Sequence, residues 1–373
     1  MPVQIKQIKS KGDLRKFIYL PNKLHKDHEA WVPPLYSDEW KFLNPKENKA
    51  LTYSDTILFL AYLDNEVVGR IMGIINKNHN KLNNLKRGRF FLPESINNQE
   101  VLHKLISSVE EWARKKGMDI LVGPLGFSDK DPQGLLIEGF EHRAIIATPC
   151  NHKYMVDMVA NERYIKDVDL FDFVISVPEK VPEVYEKIFQ RASRKEGFIL
   201  HEFTKRKELK AYIIPVLRLM NECYSQIYGF VPIEEDEMIK LAKQYIPILD
   251  PKYVKAITLD DEVVAFAIGI PDFSEGLQKS HGRLFPFGIF KIMKAMKNTD
   301  RVNLLLGAVK PKYQNQGLNV VIAAKFFETA IANGIKELES HLILETNTKM
   351  LGEVKKVGGK LYKRFRIFKK DLL

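Results

Sequence analysis

One hairpin occurs twice in this chain. Leu63-Asp64-Asn65-Glu66-Val67-Val68, followed by Gly73-Ile74, returns with unchanged spacing as Leu259-Asp260-Asp261-Glu262-Val263-Val264, followed by Gly269-Ile270. In each copy an apolar run reaches an acidic two-residue turn and leaves along a second β-branched run, the pattern of antiparallel strands joined by a tight turn. Charged and apolar positions match in the same order, and similar segments follow both copies. The chain is therefore expected to contain two copies of one sheet-forming unit.

A chain of 373 residues, 45% hydrophobic and 28% charged, is long enough for two cores of ordinary size and is globular in composition. No run of roughly eighteen apolar residues occurs, and residues 1–10 lack the apolar core and cleavage-like site of a leader, so membrane spanning and secretion are disfavoured. The only cysteines, Cys150 and Cys223, lie far apart without metal-ligand spacing. Neither a disulfide framework nor a zinc site is expected, and a reducing cytoplasm fits best. A formal charge of +11 favours anionic partners: cofactor phosphates, a lipid surface or nucleic acid. Much of the excess is local, because Lys355, Lys356, Lys360, Lys363, Arg364, Arg366, Lys369 and Lys370 meet no acidic residue before Asp371.

Periodicity and turn signals predict a strand over 3–8, a helix over 12–26, an irregular aromatic-rich loop over 31–49 and the first hairpin over 57–75. A strand over 89–92 leads to a helix over 98–116, capped by Asn97 or Asn98, stopped at Gly117, with Val101, Leu105, Val109 and Trp112 on its inner stripe. A buried strand over 119–122 precedes a long aperiodic segment over 123–148, and loops of that length usually have a function. A helix near 152–161 and a strand near 168–177 close the first half, and residues 178–181 read as the joint between domains 1–178 and 179–373. The second half opens with a helix over 182–195, a strand over 198–203 and helical material over 207–248 that is interrupted at 228–232. The repeated hairpin over 254–270 follows, then an insertion over 271–300. Within it, residues 283–297 set Phe285, Phe287, Ile289, Phe290, Ile292, Met293 and Met296 among lysines, as in a helix packed on its own domain, an interfacial helix or a lid over an apolar ligand.

A strand over 302–309 then runs into Lys310-Pro311-Lys312-Tyr313-Gln314-Asn315-Gln316-Gly317-Leu318-Asn319 and a helix ending at 332. A turn of this kind leaves the first N–H groups of the helix unpaired and pointing into one small volume, where the helix dipole favours a pyrophosphate-like anion. Gly317 lets the backbone approach such a ligand closely. The helix behind it, with Val320, Val321, Ile322, Ala324, Phe326, Phe327 and Ile331, is apolar enough to be buried.

A strand over 336–345, a short helix from Asn347, Gly358-Gly359 and a basic final strand complete the order of elements, which resembles that of the GNAT superfamily of acyl-CoA-dependent N-acyltransferases. The superfamily's pyrophosphate signature, Gln or Arg, two residues, Gly, one residue, Gly or Ala, is met by Gln314 and Gly317, with Asn319 in place of the final small residue. Many members carry a tyrosine on the short helix after the fifth strand; the corresponding residue here is Val354, and no catalytic tyrosine is carried over. The first half follows the same order, but its turn, Pro93-Glu94-Ser95-Ile96-Asn97, lacks the glycine signature and reads as a degenerate copy. The tandem halves, the Gly-Pro-Leu-Gly-Phe-Ser segment at 123–128 and the Gly-Phe-Val-Pro segment at 229–232 resemble a bacterial GNAT group of about this length, to which ceramide synthase-type acyltransferases are related. The fold implied is α/β: two tandem GNAT-like domains, each a mixed, mostly antiparallel twisted sheet flanked by helices.

The resemblance implies acyl-CoA as co-substrate and no metal. The thioester would lie where the strands over 302–309 and 336–345 splay, with Leu306, Ala308 and Val309 offering backbone groups to the pantetheine, and Gln314, Asn315, Gln316, Gly317, Leu318 and Asn319 binding the pyrophosphate. Acyl transfer to an amine needs a neutral nucleophile, a polarised carbonyl and a proton for the leaving thiolate, so a carboxylate or histidine within reach is expected. Glu345, at a strand end, is the first candidate base, or else a solvated strand end; strand alternation would put His341, Ile343 and Glu345 on one face. Asn347 either orients the cofactor or caps the helix it opens. Glu138 and His142, in a loop that also carries Asp129 and Asp131, are candidates for acceptor contacts or the base. Tyr228 and Phe230 are candidates for lining the acceptor pocket.

Neither cysteine has a partnered nucleophile context, so direct attack by a primary amine is expected rather than an acyl-enzyme. A long-chain, sphingoid-type amine is the preferred acceptor, since the basic insertion and the cationic C-terminus suit an anionic lipid surface at the inner face of the membrane. Two rivals stand beside this reading: a Fem-like aminoacyltransferase using aminoacyl-tRNA, and a non-catalytic pair of decayed GNAT domains that binds a ligand. No nucleic-acid partner is expected, because the basic residues lack interleaved stacking aromatics.

Overall fold

The computed structural model describes residues 2–194 and 197–373. The first half comprises β1 (Gln4–Gln7), α1 (Lys11–Leu24), α2 (Tyr36–Phe42), β2 (Ser54–Leu63), β3 (Glu66–Asn76), α3 (Lys77–Asn83), β4 (Arg87–Ser95), α4 (Gln99–Lys115), β5 (Ile120–Gly123), β6 (Leu135–Glu138), α5 (Tyr154–Asn161) and β7 (Ile165–Ser176). The second half comprises α6 (Glu183–Ala192), β8 (Ile199–Glu202), α7 (Arg206–Tyr224), α8 (Glu235–Tyr245), β9 (Val254–Leu259), β10 (Glu262–Pro271), α9 (Ser274–Ser280), α10 (Gly288–Asn298), β11 (Arg301–Val309), α11 (Leu318–Ala332), β12 (Glu337–Glu339), β13 (Ile343–Leu344), α12 (Thr348–Lys356) and β14 (Lys360–Asp371). The helix expected over 182–195 ends at Ala192, and its expected last residue lies outside the described residues.

The repeated hairpin is real, and its turn chemistry explains it. Asp64 and Asn65 have φ of 51° and 65°, and Asp260 and Asp261 have 50° and 63°, so both turns place two successive residues in the left-handed region. That is the turn whose twist matches the flanking strands, and Asp and Asn tolerate it best among residues with side chains. The paired glycines also have one purpose. A Cβ on Gly73 would lie 3.0 Å from the Trp112 ring of α4, and one on Gly269 would lie 2.8 Å from the Phe326 ring of α11. Each hairpin therefore lies close beneath the corresponding helix. Val101, Leu105 and Val109 of α4 are fully buried on the predicted stripe.

The strands form one sheet in the order β1-β2-β3-β4-β5-β14-β7-β12-β11-β10-β9-β8, with β6 also pairing β14 and β13 also pairing β7. Among the described residues, only β4–β5 and β11–β12 pair in parallel, at equivalent places in the two halves. The centre of the sheet is a reciprocal exchange: the last strand of the second half, β14, lies between β5 and β7, while the last strand of the first half, β7, pairs β12 and β13 of the second. The expected boundary at 178/179 falls in the connection between β7 and α6, and the sheet runs across it.

This exchange revises the reading of the basic C-terminal run. Lys363 pairs with Asp172 and Glu339, Arg364 with Glu138, Arg366 with Asp169, Lys369 with Asp167 and Lys370 with Glu110. Three of these six carboxylates lie on β7 and the others on β12, β6 and α4, so these cations of β14 are paired within the fold, the β7 pairs as cross-strand opposite charges.

Two local expectations also fail. The stretch over 31–49 contains α2, seated where the Tyr36 N–H donates to the Gly282 carbonyl at 3.1 Å. The single strand expected over 336–345 is broken, because the Ser340 N–H turns to the Phe173 carbonyl at 2.8 Å and the Ser340 hydroxyl accepts from the Phe173 N–H at 2.9 Å. His341 and Glu345 therefore do not share one continuous strand face.

Candidate active site

Strands β11 and β12 pair at only three positions, Arg301–Glu337, Val302–Leu338 and Asn303–Glu339, after which β13 continues along β7 and the two strands separate. A wedge opens beside residues 304–309. Within it β11 carries a bulge: Ile268 faces Leu306 and Gly269 faces Leu304, which leaves Leu305 as the extra residue. Bulges of this kind re-aim side chains and backbone groups next to active sites. A register shift also interrupts β3–β4 in the first half, where Leu92 has φ of 49°.

The groups turned into the wedge are already engaged by the protein. The Tyr224 hydroxyl, at the end of α7, donates to the Gly307 carbonyl at 3.0 Å and accepts from the Gly307 N–H at 3.3 Å. Burial pushes that phenol up to about 12, so it stays protonated. The Asp129 carboxylate acts on Tyr224 and also on His341, which sits in the break between β12 and β13. Burial lowers the His341 pKa from 6.5, and Asp129 acts in the opposite direction. Asp129 itself is held by Lys130, whose ammonium also reaches the Val231 carbonyl at 2.6 Å and lies 4.8 Å from the Phe230 ring centre. Two residues on, burial pushes Asp131 up to about 6.

The turn after β11 has the shape that its sequence implied. Gly317 adopts φ of 83° as the N-cap of α11, with no side chain capping the first turn. Its Cα faces Ile188 of α6, and a Cβ there would come within 2.8 Å of the Ile188 methyl. Asn315 is also left-handed, at φ of 60°. Gln314 donates to the Val309 carbonyl at 3.2 Å and accepts from Lys349 at 3.4 Å. Leu318 is buried, Gln316 is exposed, and Asn319 donates to the Glu353 carboxylate at 2.5 Å. The equivalent helix start in the first half is closed: Asn98 accepts from the N–H groups of Glu100 at 2.9 Å and Val101 at 3.3 Å. Of these two equivalent helices, α4 therefore has a side-chain cap on its first amides and α11 has none.

The remaining candidates fall into three places. Glu345 is bound to β7, with one oxygen on Lys166 at 2.6 Å and the other accepting the Asp169 N–H at 3.0 Å. Asn347 caps α12, accepting the Met350 N–H at 3.1 Å, and Val354 is buried against Phe173 and Ile343. Leu306 and Ala308 pack under α7, and Val309 packs against the cluster containing Val321 and Ile322 of α11. Glu138 pairs with Arg364 at 3.1 Å, and His142 stacks on Tyr362 with ring centres 3.8 Å apart, both near the centre of the sheet and apart from the Gly317 turn. Tyr228 receives a hydrogen bond from Arg87 at 3.2 Å and donates to Asp167, while Phe230 is buried under Lys130. These two residues fasten the break between α7 and α8 to the first half.

Sequence reasoning missed two features. Tyr224 gave no signal beyond its place at a helix end. The cluster of His25, His28 and His152, whose ligand atoms lie within 4.8 Å of one another, had no sequence signal beyond the His25-Lys26-Asp27-His28 spacing, since His152 is remote in sequence.

No protein-family model matches the chain. It is 27% identical to Protein YghO of Escherichia coli, over 97% of this chain and 94% of that protein. It is 26% identical to the bacterial ceramide synthase of Caulobacter vibrioides, over 98% of this chain and 96% of that protein. Among solved structures, a tandem GNAT protein from the clavulanic acid biosynthesis pathway matches 100% of this chain and 99% of its own length, with TM-score 0.56 and 11% identity. A GCN5-related N-acetyltransferase from Sphaerobacter thermophilus matches 99% and 96%, with TM-score 0.54 and 10% identity.

Proposed function

This is a tandem GNAT-fold chain, and from that premise we propose that it is an acyltransferase that moves an acyl group from acyl-CoA to a primary amine by direct attack, with one cofactor site, in the second half. The observation that carries this reading is the uncapped start of α11 behind the wedge. Its first-turn amides, led by Gly317, Leu318 and Asn319, suit a pyrophosphate, and Gln314, Asn315 and Gln316 form the rim. The wedge-facing backbone of 306–309 suits the pantetheine, which would displace the Tyr224 hydroxyl from Gly307.

Gly317→Ala is the direct test. An L side chain in the left-handed region costs about 1–2 kcal/mol, and here the added methyl also meets Ile188. Calorimetry should show coenzyme A binding to the wild type and about tenfold weaker binding to the variant, equivalent to about 1.4 kcal/mol. A wild type that binds no CoA thioester would remove the proposal.

His341 is the base that we favour, because it is half-buried beside the wedge and feels the charge of Asp129, whereas both oxygens of Glu345 are engaged by β7. Glu138, His142, Tyr228 and Phe230 are assigned positioning roles around loop 129–142 and the α7–α8 break.

A long-chain amine taken from an anionic membrane surface is the preferred acceptor. The relative from Caulobacter vibrioides carries the name ceramide synthase, and the insertion presents Phe285, Phe287, Phe290 and Met293 at 81, 68, 65 and 60% exposure. Helix α10 packs inward through Ile292, Ala295 and Met296 and so keeps a second apolar face outside. Arg283, Lys291, Lys294 and Lys297 accompany it with no acidic residue from 283 to 297. Buried rings contribute roughly 1.5–3 kcal/mol each, so Phe285→Ser/Phe287→Ser/Phe290→Ser should abolish co-sedimentation with phosphatidylglycerol vesicles. Equal sedimentation of wild type and variant, or no preference over phosphatidylcholine, would count against membrane contact. No helix among the described residues is long and apolar enough to cross a membrane.

A further inference from the structure

We propose that His25, His28 and His152 form a binding site for a divalent transition-metal ion of the zinc class. The three residues come from separate places: His25 caps the end of α1, His28 lies in the loop after it, and His152 precedes α5. Their ligand atoms lie within 4.8 Å of one another, and the Nδ1 atoms of His25 and His28 are 2.9 Å apart.

The outer nitrogens are fixed in the manner of metal-ligating histidines. His25 Nε2 is 3.1 Å from the Glu94 carboxylate, and His152 Nε2 is 3.0 Å from the Leu24 carbonyl. Each contact orients its ring and leaves Nδ1 as the available donor, which is how carboxylates and carbonyls behind histidine ligands set tautomer and direction. Three imidazoles with room for a further ligand suit zinc, and related borderline ions, better than magnesium or calcium. Cys150 lies outside this group, its sulfur 4.0 Å from His28 Nε2. The Glu94 carboxylate offsets part of the ion's charge, and Arg70, 4.0 Å away, opposes it.

The rings of His25 and His152 lie nearly parallel, with centres 4.6 Å apart, between Trp31 and Tyr154. Metal binding would fan these rings apart about their Cβ–Cγ bonds. The bound ion would tie the end of α1 to α5 and to the loop carrying Trp31. That loop in turn receives Gln278 of α9 on the carbonyls of Glu29 at 2.8 Å and Trp31 at 2.9 Å. The site is independent of the acyl-CoA assignment.

The test uses the full chain without a polyhistidine tag, stripped with chelator and dialysed against Zn(II), with metal counted by plasma mass spectrometry. Wild type should retain about one ion per chain, and Co(II) in its place should give visible d–d bands. Glu94→Gln, which keeps the shape and touches no metal, should weaken affinity about 10- to 100-fold, and His28→Ala/His152→Ala should lose retention. His103→Ala, an exposed histidine elsewhere, should leave it unchanged. A wild type that retains no stoichiometric ion and gives no Co(II) bands overturns the proposal, as does wild-type affinity in both Glu94→Gln and the double variant.

Discussion

Lys363→Met should destabilise the chain by about 3–5 kcal/mol, the cost of removing one partner from a buried ion pair. The Lys363 ammonium is 1% exposed and bridges Asp172 and Glu339, each 0% exposed. Without it, two carboxylates remain in the middle of the sheet with only Arg301 to serve Glu339. Burial, followed by repulsion from Glu339, already raises the Asp172 carboxyl well above its ordinary 3.8. A folded pKa above the unfolded one means that the folded chain holds more protons in the interval between them, so this group's contribution is present below 3.8 and is lost as pH rises toward the folded value. Removing the ammonium takes away the charge that opposes this rise, so the Asp172 carboxyl goes higher still and the deficit of the variant should grow from acid toward neutral pH. The unfolding should also be shared by both halves, because β14 lies between two strands of the first half. All three tryptophans, Trp31, Trp40 and Trp112, lie in the first half. Tryptophan fluorescence therefore reports that half, far-ultraviolet dichroism reports both, and the two denaturation curves should coincide. A loss below about 1 kcal/mol, as for an exposed pair, or two separate transitions, would contradict the exchanged-strand account.

The parts of this architecture that were legible in sequence are those fixed by local chemistry. Asp64-Asn65 and Asp260-Asp261 announced their turns because few other residues accept two left-handed positions in succession, and Asn98 and Asn347 cap the helices they precede. Gly317 was legible for the same reason. Features set by distant pairing were not. Asp167, Asp169 and Asp172 of β7 match Lys369, Arg366 and Lys363 of β14, yet each strand alone reads as a charged edge, and the basic one was taken for a lipid-facing tail. The break at 340–342 depends on Phe173 of β7 and so was invisible from the apolar run itself. The same holds for the wedge contents: Tyr224, His341 and Asp129 come from α7, the β12–β13 break and the 123–134 loop, and only the folded chain brings their charges within reach of one another.

His341→Asn should lower kcat/KM by about 10²- to 10⁴-fold, the usual contribution of a positioned general base. Burial disfavours the imidazolium, and Asp129 only partly restores it, so the His341 pKa stays below 6.5 and the ring is neutral and able to accept a proton at neutral pH. The wild-type profile should therefore rise with pH through a value below 6.5 and then level until the amine and the Tyr224 phenol, at about 12, bear on it. In His341→Asn that acid limb should disappear along with most of the rate, while Kd for coenzyme A stays unchanged, since the α11 turn is untouched. Glu345→Gln discriminates between the two candidate bases. The Glu345 carboxylate is engaged by Lys166 and the Asp169 N–H, so its amide should cost β7 a little stability and leave the limb in place. Mass-spectrometric rates of acyl transfer from a long-chain acyl-CoA to a sphingoid amine, taken over about pH 5 to 9, decide the matter. An acid limb that persists in His341→Asn and vanishes in Glu345→Gln would move the base to Glu345.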